Sequence, residues 1–219
     1  MLRRRLLAAL FAAAASIGAL PAAAQAPAPA RPALKTPYAL SPADRTAADR
    51  AADYLQGLAT VSARFTQTAP DGRGSTGVLY MQRPGKARFE YDPPERMLIV
   101  SDGRNVALSD MRLKTFNRYP LSATPLNLLL AKQVRLDRGV KIGRVDRNAE
   151  GFAITAVDIA HQADGRIVIY FADNAGRLAL RGWNVVDAQG RTTKVRLGEL
   201  QPRGSVPAAL FEIRDPRRG

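Results

Sequence analysis

The sequence predicts a mainly β fold, a strongly curved antiparallel sheet or barrel, on three observations. From Gly77 to Gly103 the chain reads GVLYMQRPGKARFEYDPPERMLIVSDG. Its apolar runs Val78 to Met81, Ala87 to Tyr91 and Met97 to Val100 are strand length and rich in β-branched and aromatic residues. Arg83-Pro84-Gly85 and Pro93-Pro94 separate those runs, and Asp102-Gly103 closes the third. Proline pre-sets the φ of a turn, and glycine tolerates the positive φ that follows. The same rhythm returns in the second half. Phe152 to Ile159, Arg166 to Phe171, Leu178 to Val186 and Arg191 to Leu200 read as strands. Asn148-Ala149-Glu150-Gly151, Asp173-Asn174-Ala175-Gly176 and Asp187-Ala188-Gln189-Gly190 lie before and between them as hairpin turns.

The elements follow in chain order. Arg3, Arg4 and Arg5 form a basic n-region, Leu6 to Leu20 an apolar h-region, and Ala22-Ala23-Ala24 an A-x-A cleavage site. The apolar run is shorter than the roughly 20 residues a spanning helix needs. Residues 1–24 are therefore expected to be a signal peptide cleaved near Ala24, leaving roughly 195 residues for one all-β domain. With no cysteine in the chain, no disulfide staples that domain, and no thiol after the signal offers a site for lipid attachment. The expectation is a protein free in its compartment. Gln25 to Pro42 alternates Ala and Pro with little to bury, which reads as a disordered linker before a domain at 43–219.

Ser41-Pro42 offers an N-cap followed by proline at the first helical position. From Ala43 to Leu58, residues Ala47, Ala51, Tyr54, Leu55 and Leu58 recur at helical spacing, with Asp44, Arg45, Asp49, Arg50 and Asp53 on the other face. Val61 to Thr68 then alternates as a half-buried strand. Gly72, Gly74 and Gly77 match G-x-G-x-x-G, with Glu90 and Asp92 beyond them. A dinucleotide site needs a helix to open after the glycines, but Val78-Leu79-Tyr80 opens a strand, so a hairpin tip is expected.

Asn105 to Ser109 and Leu113 to Tyr119 form a further strand pair. Thr124 and Pro125 then read as the N-cap and first turn of a helix over Pro125–Lys132, with Leu126, Leu129 and Leu130 on one face and Leu128 at its flank. A helix of about ten residues is marginal alone and must lie on something apolar. Phe211 and Ile213 offer a last short strand.

Charge and chemistry narrow the function. The chain holds 33 Lys+Arg against 19 Asp+Glu, a net +14 that falls to +11 once Arg3, Arg4 and Arg5 leave. In an exported protein this reads as a basic surface facing anionic membrane or acidic partners rather than nucleic acid. His161 is the only histidine, so no metal site of several His or Cys ligands can form, and no G-x-S-x-G elbow accompanies it. His161 is expected at the surface, and the acidic residues are singletons beside turns. Neither an enzyme nor a cofactor is expected.

Phe65-Thr66-Gln67, the Arg83-Pro84-Gly85 turn, Phe89-Glu90-Tyr91 before Pro93-Pro94 and Val100-Ser101-Asp102-Gly103 follow one another at characteristic spacing. In that order, from about Leu55 to Lys132, the chain resembles the periplasmic carriers of outer-membrane lipoproteins, the LolA family. It departs from them after Ser101-Asp102-Gly103, where relatives place large aromatics and this chain has Val106-Ala107-Leu108.

The resemblance implies an incompletely closed, curved antiparallel β-barrel of roughly ten strands, covered by the short helices Ala43–Leu58 and Pro125–Lys132. It implies a chaperone that shields acyl chains of lipoproteins in a hydrophobic cavity between the inner and outer membranes. Its partners would be acylated lipoproteins, an inner-membrane lipoprotein-releasing ABC transporter, and an outer-membrane receptor or the outer membrane itself. A monomer is expected. In the family the arginine matching Arg83 is implicated in closing the lid. Phe65, Leu79, Phe89, Tyr91, Leu98, Val100, Ile154, Ile169, Phe171 and Trp183 are the candidate cavity liners. A periplasmic lipid-binding or envelope-stress sensing module on the same fold is the first alternative, and an exported enzyme the second. The former needs an extra domain or an anchor, and the latter a catalytic constellation.

Overall fold

Residues 40–132, 140–158 and 165–215 are described by a computed structural model of the chain. The proposed signal segment, nearly all of the Ala/Pro linker, and His161 lie outside them. Helix α1 (Pro42–Gly57) opens where the sequence places it. The Ser41 hydroxyl accepts from the Asp44 amide at 3.1 Å, and proline sits in the first turn. Twelve strands follow, against the roughly ten expected, and all their pairings are antiparallel.

The first six strands form the expected meander: β1 (Thr60–Thr68), β2 (Gly74–Gln82), β3 (Lys86–Tyr91), β4 (Met97–Asp102), β5 (Asn105–Asp110) and β6 (Thr115–Pro120). A second run comprises β7 (Val140–Asn148), β8 (Gly151–Asp158), β9 (Gly165–Asn174), β10 (Arg177–Asp187) and β11 (Thr192–Leu197). The pairing order is β6-β5-β4-β3-β2-β1-β11-β10-β9-β8-β7, and the two-residue β12 (Gln201–Pro202) pairs with the start of β1. Strands β6 and β7 end this order without pairing to each other, so the sheet is not closed. Pro120 closes β6, an edge strand, where a missing amide donor costs no ladder bond.

Aromatic contacts measure the curvature. Strands β3 and β10 stand four steps apart in the pairing order, about 19 Å in a flat sheet. Yet the Phe89 and Trp183 rings meet edge to face at 6.2 Å. Only a sheet curled on itself brings them together, and its concave face is the core. Phe65 reaches Phe89 at 5.6 Å and Tyr91 at 5.1 Å because Gly77 stands beside it. A Cβ on Gly77 would lie 2.7 Å from Phe65 Cε1 and 2.1 Å from the Glu90 carbonyl oxygen. The third glycine of the G-x-G-x-x-G pattern therefore serves ring packing inside β2, where no helix follows.

Helix α1 lies across the concave side on its alanine stripe, with Ala47, Ala48, Ala51 and Leu55 buried. Asp44, which the helical pattern places among solvent-facing residues, is buried instead and paired with Arg147 of β7. Burying a charge is tolerable when a partner neutralises it. Arg50 clamps the Asp173 carboxylate of β9 through two bonds of 2.8 and 3.1 Å. The Tyr54 hydroxyl accepts from the Leu180 amide at 3.1 Å, beside the bulge between Leu180 and Gly182.

Other elements differ from the sequence reading. Strand β6 begins at Thr115, not Leu113, because Asp110 Oδ1 accepts from the Arg112 and Leu113 amides and shapes a turn. Phe211 belongs to a 3-10 helix, Ala208–Phe211, rather than a strand. That helix packs on the convex side of β3 and β4: the Arg88 guanidinium donates to the Leu210 carbonyl at 3.0 Å, and Lys86 Nζ stands 5.9 Å over the Phe211 ring.

The turn after β3 yields a pH prediction. The Asp92 carboxylate accepts from Arg64 and, at 2.5 Å, from the Thr76 hydroxyl, which together push its pKa down to about 2. An unfolded Asp titrates near ~3.9. This contribution is therefore fully present above that pH and is lost as pH falls through about 2. Asp92→Asn is expected to melt below the wild type at pH 6, with the gap closing near pH 2. Thermal melts of both proteins at the two pH values check it, and a gap unchanged in acid contradicts it.

Candidate functional site

The concave face carries a roof of leucine. After β6, Leu121–Ala123 makes a 3-10 turn, and the four residues Asn127–Leu130 form helix α2. This is shorter than the predicted Pro125–Lys132. Thr124 does not cap it: its hydroxyl donates back to the Leu121 carbonyl at 2.9 Å and closes the preceding turn. Leu126, Leu129 and Leu130 are 2 %, 3 % and 1 % exposed and belong to the cluster formed by the concave side chains. Leu128 is half-buried at its margin, as its flank position implies.

Strand parity sorts the predicted liners. Cross-strand partners share a face. The partners Leu79, Phe89 and Ile99 run across β2, β3 and β4. Phe152 and Ile154 face Phe171 and Ile169, and Ile169 faces Trp183. Phe65, Leu79, Phe89, Tyr91, Ile154, Ile169, Phe171 and Trp183 all lie in the core cluster. Leu98 and Val100 do not. They pair with Glu90 and Arg88, on the opposite face from Phe89, and are corrected to the convex side. Ile99 takes the concave place between them, and its parity with Phe89 was the available signal. Met97, Val106, Leu180 and Val195 also join the concave cluster without having been singled out.

One polar contact sits among these side chains. The Tyr91 hydroxyl donates to Gln67 Oε1 at 2.8 Å, and burial raises the phenol pKa, so it stays a donor.

Four successive carbonyls at the end of α2 are each held by a donor. The Arg83 guanidinium forks onto Leu129 at 2.5 Å and Ala131 at 2.6 Å. The Gly85 amide donates to Leu130 at 2.8 Å, and Gln56 Nε2 of α1 donates to Lys132 at 2.8 Å. These acceptors have no partner inside so short a helix. Arg83 is half-buried, and no carboxylate among the described residues pairs with it; desolvation lowers its pKa from the ordinary value. Both helices thus meet at one point over the sheet. Beside α1, a cleft of about 400 Å³ opens along Thr46, Ala47, Arg50, Arg147, Phe152 and Asp173. Its Ala47 and Phe152 also belong to the interior cluster. No group of His, Cys, Asp and Glu among the described residues is placed to hold a metal ion.

A family model described as outer membrane lipoprotein carrier protein LolA matches residues 56–214. The chain belongs to that family. Among its relatives, an outer-membrane lipoprotein carrier protein of Pseudomonas syringae pv. syringae is 27% identical over 197 residues, covering 82% of this chain and 90% of the relative. The carrier protein of Leptothrix cholodnii is 28% identical over 178 residues, covering 75% and 79%. A crystal structure of a LolA superfamily protein from Nitrosomonas europaea aligns with a TM-score of 0.46 at 11% identity, over 77% of this chain and 97% of that one. The family is one of carriers rather than enzymes. No helix among the described residues is long and apolar enough to cross a membrane.

Proposed function

We propose that this LolA-family chain is a periplasmic carrier. It holds the acyl chains of lipoproteins against the concave aromatic face and shuttles them from the inner to the outer membrane. The observation that carries the reading is the leucine roof. Leu126, Leu129 and Leu130 are buried in one cluster with Phe89, Ile99 and Trp183, and Arg83 holds the end of their helix through the Leu129 and Ala131 carbonyls.

The physics suits a carrier. Each methylene of an acyl chain exposed to water costs about 0.8 kcal/mol, and a concave apolar face removes that cost. A cargo chain must first displace the leucines, whose own burial is worth roughly 1.5–3 kcal/mol each. The exchange of one apolar filling for another is nearly balanced, so cargo is held and still released. Main-chain carbonyls accept the latch without a carboxylate, so the closed form is held by a hydrogen-bond set that opening can break and remake. The cleft beside Ala47 and Phe152 is the entry we favour, because it joins the interior once α1 lifts from the Arg50–Asp173 and Arg147–Asp44 pairs.

In this scheme residues 1–24 direct export and are removed, and 43–219 form the carrier domain. An inner-membrane lipoprotein-releasing transporter loads it. It unloads at an outer-membrane receptor or into the outer membrane directly.

The test uses purified mature protein and a triacylated lipopeptide. A one-to-one complex that stays soluble, seen by native mass spectrometry, is expected. A protein that remains empty in the presence of excess lipopeptide contradicts the carrier role.

A further inference from the structure

Trp183 Nε1 is a buried side-chain donor without a hydrogen-bond partner among the described residues. Trp183 is 1 % exposed and sits on the concave face between its cross-strand neighbours Ile169 and Val195, with Phe89 edge-on at 6.2 Å. Buried donors in native proteins are almost always paired, so an orphan needs a reason. Its cross-strand neighbours Ile169 and Val195 and the Phe89 ring offer no acceptor side chain. The buried polar pair on this face, Gln67 and Tyr91, bond to each other. A phenylalanine would keep an aromatic ring here without stranding an N–H, though it is the smaller side chain.

Resting on the carrier reading above, we propose that Trp183 determines specificity for acyl esters: in the loaded state its indole N–H donates to an ester carbonyl oxygen of the bound lipid. The empty, leucine-filled form leaves this donor unpaired, and an ester-linked chain pairs it. The orphan therefore weakens the empty state and favours ligands that carry an acceptor beside their hydrocarbon. A bare alkyl chain fills the same space and leaves the donor stranded. Triacylated lipoproteins and diester phospholipids share this carbonyl, and the experiment separates them.

Trp183 is the only tryptophan in the chain, so its emission reports occupancy in the wild type. The probes are a synthetic lipopeptide with two ester-linked glycerol chains, its ether-linked counterpart, and the same ester and ether pair as phospholipids. The wild type is expected to bind the ester lipopeptide about ten-fold more tightly than the ether, the factor set by one neutral hydrogen bond. In Trp183→Phe, followed by calorimetry, that preference disappears while ether binding persists. Equal ester and ether affinity in the wild type overturns the assignment without any variant. A preference that survives in Trp183→Phe does so too. A preference confined to the phospholipid pair overturns cargo recognition, assigning the donor to membrane lipid instead. A wild type that binds neither lipopeptide brings down the carrier reading itself.

Discussion

Arg83→Leu is expected to fold, to take up lipoprotein, and to hand it on poorly, so that loaded carrier accumulates. The guanidinium binds two of the four carbonyls at the end of α2, those of Leu129 and Ala131. A hydrogen bond to a charged donor is worth about 1.5–3 kcal/mol. Leucine supplies no donor, and it leaves two acceptors in a half-buried site. The loss falls on the closed form alone, because only there do these groups meet. A shift of that size changes an open–closed ratio ten-fold or more. The leucines of α2 then compete less well with cargo for the concave face, so uptake stays easy and release slows. Arg83→Lys is expected to fall between the two, since an ammonium cannot fork onto both carbonyls. Uptake and release measured separately with purified components decide the matter. Normal release in Arg83→Leu removes the latch from the mechanism, and a misfolded variant makes Arg83 a structural residue.

Much of this arrangement was legible in the chain. The turns at Arg83-Pro84-Gly85 and Asp102-Gly103 fix strand ends because proline and glycine set backbone angles locally. Ser41-Pro42 likewise marks the start of α1 by local hydrogen bonding. The donor fork of Arg83 beside a helix end was readable from its position before Pro84, together with the family resemblance. What was not legible depends on segments distant in sequence. The run Leu98-Ile99-Val100 is apolar on both faces, so its alternation carries no signal about which side faces the core. Val100 is buried on the convex face, where the 3-10 helix Ala208–Phe211 packs on the strand, roughly a hundred residues later. Asp44 looked solvent-facing because its partner Arg147 stands on β7, 103 residues later in the chain. The bulge between Leu180 and Gly182 puts Leu180 and Trp183 on one face, three residues apart, which period-two reading misassigns.

Gly85→Ala is expected to destabilise the protein by about 3 kcal/mol, combining positive-φ strain with steric overlap, and Gly103→Ala by only about 1 kcal/mol. Gly85 occupies φ +81 and Gly103 φ +99, so both substitutions strain a side chain in the left-handed region. They differ in the space around them. A Cβ on Gly85 would meet the Gly103 Cα at 2.6 Å and its carbonyl oxygen at 3.3 Å, whereas a Cβ on Gly103 finds its nearest neighbour, the Gly85 Cα, at 4.0 Å. The tips of the β2–β3 and β4–β5 hairpins are therefore packed backbone against backbone at one glycine and not at the other. Gly85 is also bonded on both sides: its amide donates to Leu130, and its carbonyl accepts from the Ser101 hydroxyl at 2.6 Å. Pushing the tips apart moves that amide away from the end of α2. Gly85→Ala should thus lose lid closure together with stability, showing the slow release of Arg83→Leu in a protein that also melts roughly 6–12 °C lower. Gly103→Ala should melt slightly low and release cargo normally. Melting curves and release rates for the two variants check both parts, and equal effects at the two glycines would mean that the hairpin contact does not position the lid.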